Sequence, residues 1–240
     1  MGLIAQLKAI GKETNAHVDT KLVFATIKDV KRRTHHALEN QLGGVGCKSG
    51  RVSGVFVRER LPFAHDLIAL AFYTYGREAE WFGADIHVGI HVPQLEIRVA
   101  SLEQRLYAPD HPTFNRLIGY LMPNGRPFTR KLSRTDTTAL DGATAEIAND
   151  CITYGLPYCE RFASLDIILQ EVKSQERQYP LRAPILLMTM GKSEAAIDQI
   201  NAELVRVKSQ TDAGTDSYRK KATLLLDQIA KGLWAPLKMR

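Results

Sequence analysis

Asp85, His87 and His91 are the residues whose types and spacing best fit a chemical site. In the run 85–92, Ile86, Val88, Ile90 and Val92 point one way, and Asp85, His87, Gly89 and His91 point the other. That alternation is the signature of a strand. A carboxylate and two imidazoles on one face are the donors of a metal centre or a hydrolytic site. The spacing argues against both. With a strand rise of about 3.3 Å per residue, His87 and His91 stand roughly 13 Å apart. Asp85 and His87, roughly 7 Å apart, would share an ion only in favourable rotamers. The pattern predicts a solvated or groove-lining sheet face. Asp85, His87, His91 and Arg98 are its candidate binding residues, with no metal and no cofactor.

Two basic runs offer a different chemistry. Lys28, Lys31, Arg32 and Arg33 occupy the polar side of a helical repeat that also holds the adjacent pair His35-His36. Arg126, Arg130, Lys131 and Arg134 surround Phe128 and follow Tyr120. Cations interleaved with aromatic rings are what single-stranded nucleic acid requires. The net charge of +6 arises from 32 cations against 26 anions, which permits a polyanion partner without demanding one. Both runs are read first as solvated faces.

Other motifs are excluded by their context. Gly43, Gly44 and Gly46 follow a helix, whereas a phosphate loop follows a strand and ends in Lys-Ser or Lys-Thr. Cys47, Cys151 and Cys159 form no Cys-x-x-Cys pair and are expected to be free thiols, Cys151 and Cys159 buried beside a helix break. No Gly-x-Ser-x-Gly or His-Glu-x-x-His stretch occurs. No uncharged run approaches the ~18 residues of a membrane span. The amino-terminal apolar run is interrupted by Gln6 and Lys8, unlike a secretion signal. A cytoplasmic location and no membrane partner are the expectation.

The elements that must position these residues follow from periodicity. A helix is expected over 22–41 through Val23, Ile27, Val30, Ala37 and Leu38, and strands at 52–57, 67–75 and 85–92. The stretch 67–75 is apolar on both alternating faces, as in a central strand covered on both sides. Leu95, Ile97 and Val99 predict a further strand after Pro93, and Pro123-Asn124-Gly125 a hairpin turn within 119–132. Helices are expected from Thr137 onward. The first is broken at Gly155-Leu156-Pro157, the next is capped by Ser164, an apolar turn occupies 185–190, and Ser193 caps the helix after it. The last helix, over 218–234, carries Ala222, Leu225, Leu226, Ile229 and Leu233. Strands followed by helices argue an α+β fold with a central antiparallel sheet. It is read as one domain over 1–240, with the sheet core over about 47–135 and a helical layer over about 137–234.

Three stretches carry a family resemblance: GIHVPQLE (89–96), YGLPYCERFASLDIILQEV (154–172) and PILLMTMGKSEAAIDQINAEL (184–204). In this order they resemble a bacterial family of uncharacterised proteins, domain of unknown function 4304. The matching residues are Gly89, Pro93 and Leu95, then Leu156, Pro157 and Phe162, then Gly191. The resemblance spans about 20–205 and implies a fold and a bacterial setting, with no activity to transfer. A complete fold plan without a catalytic constellation predicts a non-enzymatic module that binds another protein as a regulator, adaptor or toxin-neutralising partner. The alternatives are a nucleic-acid binder using the two basic runs and a cryptic hydrolase or metal enzyme centred on Asp85 and His87.

Overall fold

The computed structural model describes residues 26–75, 79–175 and 180–232. Helix α1 (Ile27–Gly43) begins where Thr26 and Asp29 cap each other's backbone reciprocally, which satisfies two donors at the helix start. Leu22 and Val23 lie outside the described residues. Six antiparallel strands follow: β1 (Lys48–Ser49), β2 (Val55–Leu61), β3 (Ala64–Thr74), β4 (Trp81–His91), β5 (Phe114–Leu117) and β6 (Thr129–Ser133). Their order is β1-β2-β3-β4, and both β5 and β6 pair with the far side of β4. Helix α2 (Pro93–Leu102) intervenes between β4 and β5. The chain ends in α3 (Thr137–Asp150), a π turn (Cys151–Gly155), α4 (Leu156–Glu160), α5 (Leu165–Ser174), α6 (Arg182–Thr189), α7 (Ser193–Arg206) and α8 (Ala213–Ala230). The α+β class with an antiparallel sheet is as expected.

The helices cover one face of the sheet. Ile86, Val88 and Ile90 of β4 are fully buried there with Phe56, Ile68 and Leu132. Val30, Leu38 and Leu42 of α1 join the same apolar cluster, as do Ile147 of α3, Leu156 of α4 and Ile168 of α5. Helices α2, α6, α7 and α8 contribute Leu95, Ile185, Ile200 and Leu225, so one contiguous core links both helical groups to the sheet.

Several local expectations are corrected. Residues 95–99 form helix, not strand. Pro93 sits in the first turn, where its fixed φ favours a helix, and Leu95, Val99 and Leu102 recur at helical spacing while Ile97 is exposed. Strands β5 and β6 do not form a hairpin; each pairs with β4, and the loop between them folds back on Gly119. A Cβ on Gly119 would stand 2.2 Å from the Arg126 carbonyl oxygen. The chain does not break at Gly155-Leu156-Pro157. The π turn carries it straight into α4, with Gly155 against Val88. Residues 185–190 belong mostly to helix α6 rather than to an isolated turn. Lys192, not Ser193, holds the cap position of α7, and Asp212 caps α8, which begins at Ala213, five residues before its expected start at 218. Ser164 does cap α5. Leu233 lies outside the described residues.

The resemblance motifs acquire physical roles. Gly89 lets β5 approach closely, since a Cβ there would stand 2.2 Å from the Phe114 carbonyl oxygen. Gly191 adopts φ +77°, the left-handed turn that ends α6. Leu156 and Phe162 are core residues.

A buried carboxylate ties the sheet to α4. Asp66, 1% exposed, accepts from Arg58 Nε at 2.8 Å and from Arg60 Nε at 3.1 Å. Arg60 also donates to the Cys159 carbonyl at 2.8 Å, and Arg58 reaches Glu160 at 3.1 Å. Removing the acid leaves Arg60 with backbone carbonyls alone and Arg58 with the exposed Glu160 as its remaining partner at the sheet–helix seam. Asp66→Ala is expected to cost about 3 kcal/mol in urea unfolding; a loss under about 0.5 kcal/mol, the scale of ordinary surface substitutions, would contradict this role.

Candidate functional site

Asp85, His87, Gly89 and His91 do share the sheet face opposite the helices. It divides into a strapped half and an open half. Residues 103–113, between α2 and β5, form the strap. At one end His91 is buried to 1% exposure. Its Nδ1 donates to the His111 carbonyl at 2.6 Å, so its Nε2 accepts from the Tyr107 hydroxyl at 2.9 Å. At the other end the Val52 N–H donates to Asp110 at 2.9 Å, and Gly50 leaves room for that carboxylate. Asp110 and His111 are adjacent, so this part of the strap ties the end of β4 to the β1–β2 turn. Leu67 and Val55 are buried on this half, and the His65 ring lies 6.0 Å from His91.

The open half holds the other two candidates. Thr129 Oγ1 donates to Asp85 at 2.7 Å, and His87 Nδ1 meets Asn115 Oδ1 at 3.3 Å. Ala71, Asn115 and Lys131 are exposed beside them, and among the described residues no helix covers this area. Strand β3 is therefore covered on one face only along its second half, which corrects the expectation of two-sided cover. At the end of the open half, the Tyr73 and Tyr75 rings fold over Gly83, where a Cβ would come within 2.7 and 2.9 Å of them. Tyr75 packs on Trp81 with ring centroids 4.1 Å apart, and the Lys131 ammonium stands 4.5 Å from the Trp81 ring centroid. Glycine in a strand leaves a gap that cross-strand aromatic rings fill. The result is an aromatic corner with one cation.

The structure thus brings Asp85 and His87 onto one accessible surface and withdraws His91 beneath the strap. Arg98 is on α2, half-buried, and burial lowers its guanidinium pKa. No group of three or more His, Cys, Asp or Glu side chains among the described residues is arranged to hold a metal. The cysteines are buried, and burial pushes all three thiols up, which disfavours the thiolate a nucleophile needs.

The basic runs disperse. Arg33 is bidentate to Asp141 at 2.9 and 2.7 Å, Arg32 pairs with Asp29, and Lys31 lies over the Phe72 ring. Lys28 is exposed. His35 is stacked on Phe56 with centroids 4.9 Å apart. Arg130 points to the helical face, stacked on Phe128 and paired with Asp150 and Glu146. Lys131 points to the opposite face, and Arg126 is exposed in the intervening loop. Adjacent strand residues face opposite ways, so Arg130 and Lys131 cannot form one patch.

Sequence reasoning missed the aromatic corner and a charged cavity beside α2. Tyr73 and Tyr75 lie two apart in a strand, which places them on one face, but the apolar run masked which face was open. The cavity, about 420 Å³, lies among α2, the strap, α6 and α8. Its cations Arg105, Arg182 and Lys221 lie far apart in sequence and meet only through helix packing.

Burial pushes the His91 imidazole from its ordinary value of 6.5 down to about 4. The unfolded chain therefore takes up this proton at a higher pH than the folded protein does. The stabilisation from the neutral ring is complete above pH 6.5 and is lost as pH falls towards 4. A shift of this size corresponds to about 3 kcal/mol. In urea unfolding from pH 7.5 to 4, His91→Gln is expected to lack that part of the decline; identical pH profiles would contradict the assignment. Comparison of the chain with protein-family models, curated proteins and solved structures finds no match.

Proposed function

We propose that the protein is a non-catalytic module that binds another protein through the open half of its sheet, in the bacterial setting that the family resemblance implies and in the cytoplasm. The observation that carries this reading is the uncovered aromatic corner of the open half, where Tyr75, Trp81 and Lys131 pack together. The adjoining strap and its anchor add the exposed apolar side chains Val52, Leu106 and Tyr107. Leu106 is 93% exposed and Tyr75 53% exposed. Tyrosine and tryptophan dominate the energetic centres of protein interfaces, where fully charged groups are depleted. The aromatic corner fits that composition, with Lys131 placed to meet a carboxylate of the partner at its rim.

The competing readings have less support. A nucleic-acid surface needs a continuous basic stripe, whereas Arg32, Arg33 and Arg130 are each paired with carboxylates. A hydrolase needs a nucleophile within hydrogen-bond reach of a base. On the open face the Thr129 hydroxyl donates directly to the Asp85 carboxylate, but His87 meets the Asn115 amide instead of joining that pair, so no imidazole activates the hydroxyl.

The test is affinity capture from the native host at moderate salt, using the wild-type chain, Tyr75→Ala/Trp81→Ala and Lys131→Glu. Lys28→Ala/Arg32→Ala is the control, and circular dichroism confirms folding of each. One protein is expected to be retained by wild type and control. Its retention by the aromatic-corner variant should fall about thirty-fold, the scale of a hot-spot loss, and Lys131→Glu should weaken it less. Equal retention by all four chains, or retention lost only in the control, would overturn the reading.

A further inference from the structure

The cavity among α2, the strap, α6 and α8 rests on observations separate from the open sheet face. Its walls combine Val99, Leu102, Leu181, Ile185 and Tyr218 with charged groups. Its volume of about 420 Å³ falls within the range of small-molecule sites.

The charges do not balance. Glu96, 1% exposed, is held by Arg182 Nε at 3.2 Å and by Arg105 at 3.4 Å. Arg182 is fixed further by donating to the Thr113 carbonyl. Glu103 bonds Arg105 at 2.8 Å and Lys221 at 3.3 Å. Among the described residues the two cations at the mouth, Arg105 and Lys221, share the single carboxylate of Glu103, while Glu96 lies buried against Arg182, so the mouth holds one more cation than carboxylate. Helix α6 adds to it. The helix begins at Arg182 on this wall after Leu181, whose side chain offers no cap, so its dipole presents positive potential to the same space. Arg105 and Lys221 are each about one-third exposed and so accessible from the cavity mouth, whereas Arg182 is locked behind them.

We infer that this cavity is a binding site for a small organic anion with one carboxylate or phosphate group and an apolar body. The head group would lie between Arg105 and Lys221, and the body against Ile185, Leu181 and Tyr218. A single negative charge neutralises the excess without displacing Glu103 or Glu96, and the apolar wall favours a ligand larger than an inorganic ion. Because Arg105 and His111 belong to the strap, an occupant would also hold the strap.

Benzoate, phenyl phosphate, inorganic phosphate and neutral benzamide serve as probes, with ligand-observed NMR and thermal unfolding in low-salt buffer. Benzoate or phenyl phosphate is expected to bind and raise the unfolding temperature, and whichever binds more tightly identifies the head group. Benzamide and inorganic phosphate should each bind at least about ten-fold more weakly, the effect of losing a charge-assisted hydrogen bond or the apolar contact. Lys221→Gln should weaken the preferred anion by about ten-fold. Glu103→Gln, which increases the excess charge, should strengthen it. Hydrogen exchange should slow at 103–113 and 214–221 when the anion is present. Failure of both aromatic anions to bind, equal binding of benzamide, insensitivity to both substitutions, or protection confined to other segments would each overturn the site.

Discussion

A sheet that packs helices on only one face must find another way to cover the second, and the rest of this structure answers that constraint. Ile86, Val88 and Ile90 send the helical layer to one side of β4. On the other side, among the described residues, the cover is the strap, tied down by the neutral His91 ring and by Asp110. Leu67 and Val55 are buried on this face, whereas Ala71 is exposed. There the sheet protects its backbone by folding tyrosines over Gly83. What remains is a surface with aromatic rings and few charges. A protein can keep such a surface in water when it is small or when it has a partner.

The same economy governs charge. A net charge of +6 suggests an electropositive surface, yet many guanidinium groups are consumed inside the fold. Arg58 and Arg60 neutralise Asp66, Arg130 neutralises Asp150, and Arg182 with Arg105 neutralises Glu96. Buried acids held by arginine forks fix one packing of helix on sheet, because each guanidinium also meets a particular carbonyl or second acid. Beside Glu96 the pairing is uneven, and the excess positive charge faces a cavity.

Much of this architecture was legible in the sequence. The alternation through 85–92 placed Ile86, Val88 and Ile90 together and Asp85, His87 and His91 opposite them, as observed. The Ser164 cap was legible too, because a side-chain oxygen before an apolar helical repeat has a local meaning. Residues 95–99 misled because five residues of alternation also satisfy a helical spacing, and the deciding signal was Pro93 in the first turn. The hairpin misled because a turn sequence sets a local bend but does not choose the strand's partner; β4 is long enough to accept β5 and β6 end to end. Of the candidate site, Asp85 and His87 were readable. The burial of His91 was not, since it depends on a strap contributed from twenty residues away. The cavity was invisible for the same reason: Arg105, Arg182 and Lys221 converge only once α2, α6 and α8 have packed.

The central claim is that the open half of the sheet meets another protein. It is tested most directly by placing a photo-crosslinking residue, p-benzoylphenylalanine, at position 71 in the native host, with position 97 on the exposed side of α2 as the reference. The account predicts one discrete adduct with a second protein from position 71, absent from position 97. Crosslinks from position 71 that remain within the chain, or adducts equal in pattern from both positions, would contradict it.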